Sequence, residues 1–543
     1  MIDSTEKVIA DIVFLNGEVI TIDDHQTITE AIAIKDNKIC SVGSSVRITD
    51  FIGENTKIID LKGRSLLPGF IDSHIHLSIY GTNLLDINCN SPEVQSLEDL
   101  YTELRKEVQH VEKGNWIRAS GFNENNIVEK RLPTKRELDA ISTEHPILIV
   151  RVCNHQSIVN SRALKIANID EKTKNPEGGI IEKDASGHLT GKLIENAHMK
   201  ISEVASHHEE ELKKSMKMAS EVFIKHGITS IHDAGGYGDG SKLLEIMQEG
   251  TESGDIKLRI YAMIGSLIDS KKFIKEMKEK NIVTGFGNEK FKVGPVKLFS
   301  DGSSTGPTLA TRKPYTNDPN DFGILYDNQK GINQVLIDAH KRGYQITAHA
   351  QGDRAIEMVL NCIEAALNER PKANHRHRIE HAGIAPPDLQ KRMKELNVIV
   401  IPNPVFMYEN GDHYIHFYGD RVNWMYPAND YIESTITAAF GSDAPVVGCD
   451  PLLGIHAAVN RKSKHNIQVG ERQKIGVLDA LKAYTIMGAY ASFEEEIKGS
   501  LEKGKLADLV VLDKSILNVE KEKIKELQVE LTMINGEIVY RSN

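Results

Sequence analysis

The chain has 543 residues, of which 40% are hydrophobic and 26% are charged, a balance typical of a folded protein and not of a disordered one. Its formal net charge of −11 argues against a dedicated nucleic-acid binder, because phosphate contacts need a basic surface. No stretch approaches the roughly 20 apolar residues of a membrane helix, and the start lacks a secretion signal. The 5 cysteines form no CxxC pair, so we expect reduced thiols and a cytoplasmic protein.

Both ends of the chain have the pattern of short β-strands. Residues 8–62 alternate apolar and polar positions between Asn-Gly, Asp-Asn and Lys-Gly turn signals, and LADLVVLD and VELTMINGEIVY repeat this texture near the C-terminus. Because chain termini often lie near each other, we expect segments 1–66 and 495–543 to form one composite β-sandwich.

Between these ends, strand-like runs alternate with helix-like runs that tend to end in Gly or Asn. Eight such units close into a barrel, so the sequence predicts an α/β fold with a (β/α)8 TIM-like barrel over 67–84 and 222–494. Segment 85–221 interrupts the alternation after the first strand. Its own strand and helix patterns predict an inserted subdomain that covers the barrel mouth.

Chemically distinctive side chains end the strand candidates, where the active site of such a barrel lies. His74 and His76 end the first candidate in FIDSHIH, and residues two apart on a strand point to the same side. Later candidates end in Lys297, His349, His381 and Asp443. Alone, each is more often a structural histidine, an ion-pair partner or a helix cap. Their joint placement at one end of the barrel favours a metal site.

The motifs that carry these residues resemble those of the metal-dependent amidohydrolase superfamily, and within it amidohydrolase family 3. They include LPGFIDSHIH, GHLTGKLIENA, VKLFSDGS, TAHAQGDRAI, RIEHAG, GSDAPV and GSLEKGKLADLVVLD, and they extend over almost the entire chain. Within that family the chain resembles in particular the branch that contains N-substituted formamide deformylase. Motifs of this kind are strong signals of family membership and weaker signals of the substrate.

The resemblance implies a site for two divalent metal ions, with zinc favoured by the histidine-rich ligands. His74, His76 and Asp443 are then the ligands of the more buried ion, and His349 and His381 bind the second. Lys297 is implied to bridge both ions as an N6-carboxylated lysine, because a free ammonium has no lone pair to offer a metal.

The implied activity is hydrolysis of a non-peptide, linear amide C–N bond, as in N-substituted formamides or other N-acyl compounds. A metal-activated hydroxide attacks the carbonyl carbon, and Asp443 moves a proton to the leaving nitrogen. The same site acting on cyclic amides, esters or carbamates, or in an isomerisation, is the alternative, because the fold does not fix the reaction. A catalytically inactive scaffold is disfavoured, since every ligand position is filled.

The expected partner is a small-molecule substrate, with no nucleic acid and no membrane, and a homodimer fits the family.

Substrate-binding candidates lie around this centre. They are His155, Asp233, Asp301 and Ser303. His155 stands in a stretch that resembles the family's RxDGH element, but Cys153-Asn154 replaces the Asp-Gly, which weakens any inference of substrate preference. The aromatic stretch 405–421 is predicted to be a mobile loop, either a flap over the substrate or an oligomer contact.

Overall fold

The computed structural model describes residues 8–90, 92 and 94–542. The first seven residues of the expected sandwich, together with Ser91, Glu93 and Asn543, lie outside the described residues. The described chain has a mixed α/β fold around a nearly closed parallel barrel, which confirms the predicted fold class.

Seven parallel strands form the barrel, and each one pairs with its neighbours in chain order. They are β1 (Phe70–Ile75), β2 (Ile228–Asp233), β3 (Arg259–Ile264), β4 (Phe291–Phe299), β5 (Ile346–Ala350), β6 (Arg378–His381) and β7 (Ile399–Ile401). Almost every residue in them is buried, as in a parallel sheet that is covered by helices on its outer face and packed with side chains on its inner face.

The expected eighth strand closes the barrel without forming a regular strand. On one side of this closing segment, residues 437–443, the Val400 N–H donates to the Thr437 carbonyl at 3.0 Å. On the other side, the Ser73 N–H donates to the Phe440 carbonyl at 3.0 Å. The prediction of eight strands is therefore corrected to seven strands and a closing segment. A positive φ of 63° at the last residue of the segment interrupts regular pairing there.

Helices connect the barrel strands. They are Leu77–Asn83, Glu209–Lys225, Gly240–Ser253, Ser270–Glu279, Gln329–Lys341, Asp353–Glu369, Pro387–Glu395, Val405–Tyr418, Ala428–Glu433, Pro451–Asn460, Val477–Ala483 and Ile486–Ala491. Asp239 and Asp269 each accept a backbone N–H at the start of a helix, as N-capping residues do. Helix Glu209–Lys225 packs on Leu77–Asn83 and runs through the domain boundary expected at residue 221.

The stretch predicted to be a mobile loop is helical. Helix Val405–Tyr418 is followed by a 3-10 helix, Gly419–Trp424, so the prediction of a loop is wrong. Phe406, Tyr414 and Tyr418 of this helix are buried, and the Tyr414 hydroxyl lies 3.0 Å from Ser304 Oγ. The aromatic composition that suggested a flap therefore reflects a buried packing surface.

The insertion has its own six-stranded sheet and hydrophobic core. Its strands are Ile87–Asn88, Ile117–Phe122, Ile147–Arg151, Gln156–Val159, Gly179–Lys183 and Leu189–Glu195. Its helices are Leu97–His110, Lys135–Ile141, Ser161–Ile166 and Asn196–Val204. A capping box between Thr134 and Glu137 begins the second of these helices, so the local sequence fixes where it starts.

Strands near the two ends of the chain form two further sheets, of which the six-stranded one contains strands from both ends, and a common core lies between the sheets. The four-stranded sheet holds Ile12–Leu15, Ala31–Lys35, Lys38–Gly43 and Lys57–Asp60, and the six-stranded sheet holds Glu18–Ile20, Ile28–Thr29, Ser65–Pro68, Leu509–Leu512, Val529–Ile534 and Glu537–Arg541. Strand Ser65–Pro68 joins the two ends, because it pairs with Glu18–Ile20 on one side and Leu509–Leu512 on the other. Phe14 and Met533 lie in the core between the sheets.

In the part of the chain that the structure describes, no helix combines the length and the apolar character needed to cross a membrane.

Candidate active site

Three candidate ligands converge where β1 meets the closing segment. The Asp443 N–H donates to the His74 carbonyl at 2.8 Å, which brings the carboxylate beside the first strand. Asp443 Oδ1 lies 3.4 Å from His74 Nε2 and 3.2 Å from His76 Nε2. One donor atom from each of the three side chains falls within 4.8 Å of the others, the spacing of a metal site.

Hydrogen bonds behind the two imidazoles turn their free nitrogens toward this point. His74 Nδ1 lies 2.5 Å from Glu380 Oε2, and His76 Nδ1 lies 2.6 Å from the Gly235 carbonyl. Since both partners are acceptors, each Nδ1 is the hydrogen-bond donor, and each Nε2 is the nitrogen left to bind a metal. The donor set therefore fits a divalent cation such as zinc.

Glu380 is a functional residue that sequence reasoning missed. Its carboxylate accepts hydrogen bonds from His74, Arg378 and Thr347 and is fully buried. Burial opposes its ionisation, but the charge of Arg378 and the bond to His74 outweigh burial and hold the pKa of Glu380 well below its ordinary value. Its position directly before His381 in RIEHAG was the available signal.

Asp443 is held as a carboxylate. Burial alone would raise its pKa, but the neighbouring imidazoles of His381, His74 and His76 lower the pKa of Asp443 well below the ordinary value.

Lys297 reaches the same centre from β4. Its side chain is completely buried, and Nζ lies 3.4 Å from His74 Nε2 and 4.6 Å from the centre of the Phe299 ring. Burial lowers the pKa of Lys297 to about 8, although Glu380 and Asp443 act in the opposite direction. A neutral amine is therefore accessible near physiological pH.

His349 and His381 complete the cluster at the ends of β5 and β6. Their ring centres are 4.6 Å apart, and the His381 ring is 4.5 Å from that of His74. His349 Nε2 lies 3.1 Å from the Gly302 carbonyl, which leaves Nδ1 as the nitrogen with a free lone pair. Burial lowers the pKa of His349 well below its ordinary value, so this ring is neutral and able to bind a metal.

Asn403, at the end of the NVIVIPNP run, orients His381. Its Nδ2 donates to the Gly441 carbonyl at 2.9 Å, so Oδ1 is the acceptor for His381 Nδ1 at 2.7 Å. The free Nε2 of His381 is thereby left for a ligand. Burial lowers the pKa of His381 to about 3. Sequence reasoning did not identify Asn403.

Both acidic substrate-binding candidates, Asp233 and Asp301, accept hydrogen bonds from backbone N–H groups. Asp233 accepts the N–H groups of Leu77 and Gly235 at 2.8 and 3.1 Å. Asp301 accepts three backbone N–H groups at 2.8 to 2.9 Å, and burial raises its pKa to about 7. Ser303 Oγ likewise accepts the Thr305 N–H at 3.1 Å. These side chains hold the loops around the centre in place.

His155 stands apart from these loop-holding residues. It lies on the insertion, and its ring centre is 6.3 Å from that of His349. Glu195 and Tyr326 contact its Nδ1 atom at 2.6 and 3.2 Å. The insertion therefore contributes an imidazole to the edge of the centre.

A cavity of about 420 Å³ opens at the same end of the barrel. Residues of the insertion, such as Val152, line one side of it. The loops and helices that follow β1, β4, β7 and the closing segment line the other side. Tyr80, Thr305, Asn410 and Pro445 are among its lining residues. None of the candidate metal ligands is among its lining residues, so the cavity lies beside the centre, at the end of the barrel where active sites of this fold occur.

Comparisons with known proteins agree with this geometry. A sequence model of the Amidohydrolase family matches residues 57–540. The protein named as the amidohydrolase YtcJ of Bacillus subtilis (strain 168) is 30% identical over 95% of this chain and 96% of its own length. N-substituted formamide deformylase of Arthrobacter pascens is 24% identical over 98% of each chain. A solved structure of a metal-dependent hydrolase from Pyrococcus horikoshii OT3 has a TM-score of 0.75 and 26% identity, covering 94% of this chain and 99% of that one.

Proposed function

The chain belongs to the Amidohydrolase family, and we propose that it hydrolyses the C–N bond of linear, non-peptide amides such as N-substituted formamides or other N-acyl compounds. Family membership and the metal-dependent hydrolases among its relatives make it a hydrolase. The observation that carries the proposal is the convergence of His74, His76 and Asp443 on one point at the barrel mouth. The similarity to N-substituted formamide deformylase supports the linear amide as substrate class.

We propose two divalent ions, zinc in both positions. His74, His76 and Asp443 would hold one ion, and His349 and His381 the other. When bound, such cations lower the pKa of water and draw electron density from a carbonyl oxygen. The orientation of each imidazole by an acceptor behind it supports this assignment, since it leaves one nitrogen of each ring unprotonated.

Lys297 would join the two positions as an N6-carboxylated lysine. Carboxylation replaces an ammonium, which has no acceptor, by an anion with two oxygens. Only the neutral amine attacks carbon dioxide, and the burial of Lys297 lowers its pKa to about 8. The 3.4 Å approach of Nζ to His74 Nε2 supports the bridging position.

Asp443 would accept a proton during the reaction and later donate it. Its Oδ1 is adjacent to both His74 and His76, so a water molecule at that point lies within its reach. The carboxylate takes the proton of the attacking water and passes it to the leaving nitrogen, so that the C–N bond breaks to release a neutral amine. His155 would contact the substrate from the insertion, and Asp233, Asp301 and Ser303 would shape the pocket through the loops they hold.

The test is a substrate panel with the zinc-reconstituted protein. It contains N-formyl, N-acetyl and N-acyl-amino-acid compounds, with cyclic amides, esters and carbamates as the alternative substrates. We expect amine release from linear amides that is lost after chelation and restored by zinc. Turnover confined to cyclic amides, esters or carbamates would replace the proposed substrate class, and turnover unaffected by metal removal would overturn the mechanism.

A further inference from the structure

A buried carboxylate on the insertion makes contacts that the proposed mechanism does not use. Glu195 ends strand Leu189–Glu195 in the motif GHLTGKLIENA, and it is completely buried. Its Oε2 lies 2.6 Å from His155 Nδ1 and accepts the hydroxyl of Tyr326, while its Oε1 accepts the hydroxyl of Thr308 at 2.7 Å. Every oxygen of this acid is therefore engaged.

The backbone at Glu195 adopts an unusual conformation. Its φ is 51° and its ψ is −124°, a region that residues with a Cβ seldom adopt. The Glu195 N–H donates to the carbonyl of His155 at 2.8 Å, so main chain and side chain contact the same residue. Strained backbone of this kind persists only where the surroundings fix it, and it concentrates at functional sites.

The contacts of Glu195 join the insertion to the barrel. Thr308 and Tyr326 belong to the long connection after β4, the strand that carries Lys297. His155 lies on the insertion between strands Ile147–Arg151 and Gln156–Val159. One carboxylate thus ties together the two parts of the chain that border the centre.

The ring of His155 has one nitrogen engaged and one nitrogen free. Nδ1 faces an acceptor-only carboxylate and must therefore carry a proton. Nε2 makes no hydrogen bond to any residue in the described ranges 8–90, 92 and 94–542. Because its ring centre lies 6.3 Å from that of His349, His155 stands at the edge of the centre.

We propose that Glu195 is a positioning residue for amide hydrolysis, which holds His155 with both ring nitrogens protonated so that Nε2–H donates to the carbonyl oxygen of the substrate. This inference rests on the proposed function and adds a protein-derived donor to it. A donor placed where negative charge develops stabilises the transition state more than the ground state. The charge on the carbonyl oxygen grows as water attacks, so the hydrogen bond strengthens during the reaction.

The charged and titratable groups around His155 agree with this assignment. Burial alone would lower the pKa of the ring, but the charge of Glu195 and its hydrogen bond raise the pKa of His155 to about 9. Burial and the charge of His155 lower the pKa of the neighbouring His198 to about 3, so that second ring stays neutral. The other titratable neighbours are Tyr326, on the barrel connection, Cys153, on the same turn, and Asp443 of the centre, whose charge also raises the pKa of His155.

Glu195→Gln tests the inference, because glutamine keeps the shape and loses the charge. We expect kcat/KM on the linear amide to fall about 100-fold through kcat, the loss that follows removal of one oxyanion donor. Zinc content should stay at the wild-type level. Glu182→Gln is the matched control, since Glu182 is an acid on the adjacent strand of the same sheet whose carboxylate accepts a hydroxyl, that of Thr190. It should leave kcat/KM unchanged.

A double-mutant cycle separates positioning from simple structural support. If Glu195 acts through His155, the Glu195→Gln/His155→Gln double variant loses no more activity than His155→Gln alone. Losses that multiply would overturn the inference. Glu195→Asp provides a folded variant if Glu195→Gln does not accumulate, and we expect its kcat to lie between those of the wild type and His155→Gln.

The protonation state of His155 gives a readout that needs no turnover. Nitrogen NMR of zinc-loaded protein labelled at histidine, assigned by the signal lost in His155→Gln, should show two protonated ring nitrogens at pH 7.5 in the wild type and one in Glu195→Gln. A neutral ring in the wild type overturns the inference. Absence of wild-type turnover on every amide overturns the proposed function instead, so the two failures are distinguishable.

Discussion

His74 Nδ1 lies 2.5 Å from Glu380 Oε2, and both side chains are completely buried although the two residues are 306 positions apart in the chain. The carboxylate fixes which nitrogen of the ring carries the proton, and so it prepares the other nitrogen for a metal. Arg378 in turn neutralises Glu380 through two hydrogen bonds of 2.8 and 2.9 Å. The candidate metal site is thus supported by a buried ion pair.

Replacing Glu380 by glutamine should weaken metal binding. We expect Glu380→Gln to lower zinc affinity about 10–100-fold, the usual effect of losing the acceptor behind a ligating histidine. The buried guanidinium of Arg378 loses its counter-charge as well, so the free energy of unfolding should fall by about 3–5 kcal/mol. Zinc competition with a chelator and urea unfolding measure the two effects. Glu369→Gln, an exposed acid paired with Lys341, serves as the control and should change neither.

Asp443→Asn should separate metal binding from catalysis. The amide can still act as a weak oxygen ligand but cannot accept the proton, so we expect kcat to fall about 10²–10⁴-fold while part of the zinc is retained. Steady-state kinetics and metal quantification on the same preparation provide the comparison. If kcat survives the substitution, Asp443 is not the proton acceptor.

Carboxylation of Lys297 predicts a requirement for carbon dioxide. After the protein is stripped of metal at acid pH in carbon dioxide-free buffer, zinc alone should restore little activity, and zinc with bicarbonate should restore it fully. Lys297→Ala should stay inactive under both conditions. Equal recovery with and without bicarbonate, or a Lys297→Ala variant with both metals and full turnover, would exclude the carboxylated lysine.

A histidine chain away from the centre should make stability depend on pH. His340 Nε2–H donates to the Arg370 carbonyl at 2.7 Å, His377 Nε2–H donates to His340 Nδ1 at 2.9 Å, and the Ile346 N–H donates to His377 Nδ1 at 3.2 Å. All four ring nitrogens of His340 and His377 are therefore engaged in hydrogen bonds, and neither ring can bind a second proton without breaking one of them. Burial lowers the pKa of His377 well below its ordinary value, with the charges of His375 and His340 acting in the same direction.

The sign of the effect follows from linkage. A folded-state pKa below the unfolded value means that, as pH falls below about 6.5, only the unfolded chain binds the proton and stability declines. His377 should contribute a loss of about 1 kcal/mol between pH 7.5 and 5.5. Urea unfolding at both pH values measures this loss. Between pH 7.5 and 5.5 the free energy of unfolding should decline by about 1 kcal/mol less in His377→Gln than in the wild type, although the variant is less stable at pH 7.5. An identical decline in both proteins would contradict the assignment.

The alternation of strand-like and helix-like runs predicted the barrel. The residues at the ends of the strand-like runs predicted which side chains would meet at the centre. The positions of His74, His349 and His381 follow from local rules, because each ends a buried parallel strand and such ends meet at one face. The irregular closing segment was not predictable, since Ala438 to Asp443 has the pattern of a strand, whereas in the structure it forms one isolated bridge and ends in a residue with positive φ.

Contacts between distant parts of the chain account for what the sequence did not reveal. The roles of three residues depend on histidines that are distant in the sequence: Glu380 contacts His74, Asn403 contacts His381 and Glu195 contacts His155. The sequence around each of the three does not identify its partner. Asp233 and Asp301 were substrate-binding candidates because each lies at or just after the end of a strand. In the structure their carboxylates accept backbone N–H groups, a contact that their positions in the sequence do not specify.

Metal quantification of the purified protein tests the central claim most directly. Protein prepared in bicarbonate buffer with zinc should hold about two ions per chain, the count expected of a two-metal hydrolytic site, and His76→Ala should hold about one fewer. The hydrolytic activity should follow the zinc content through both proteins. A wild-type chain that binds no zinc, or that keeps its full zinc content after His76→Ala, would contradict the assignment of His74, His76 and Asp443 as metal ligands.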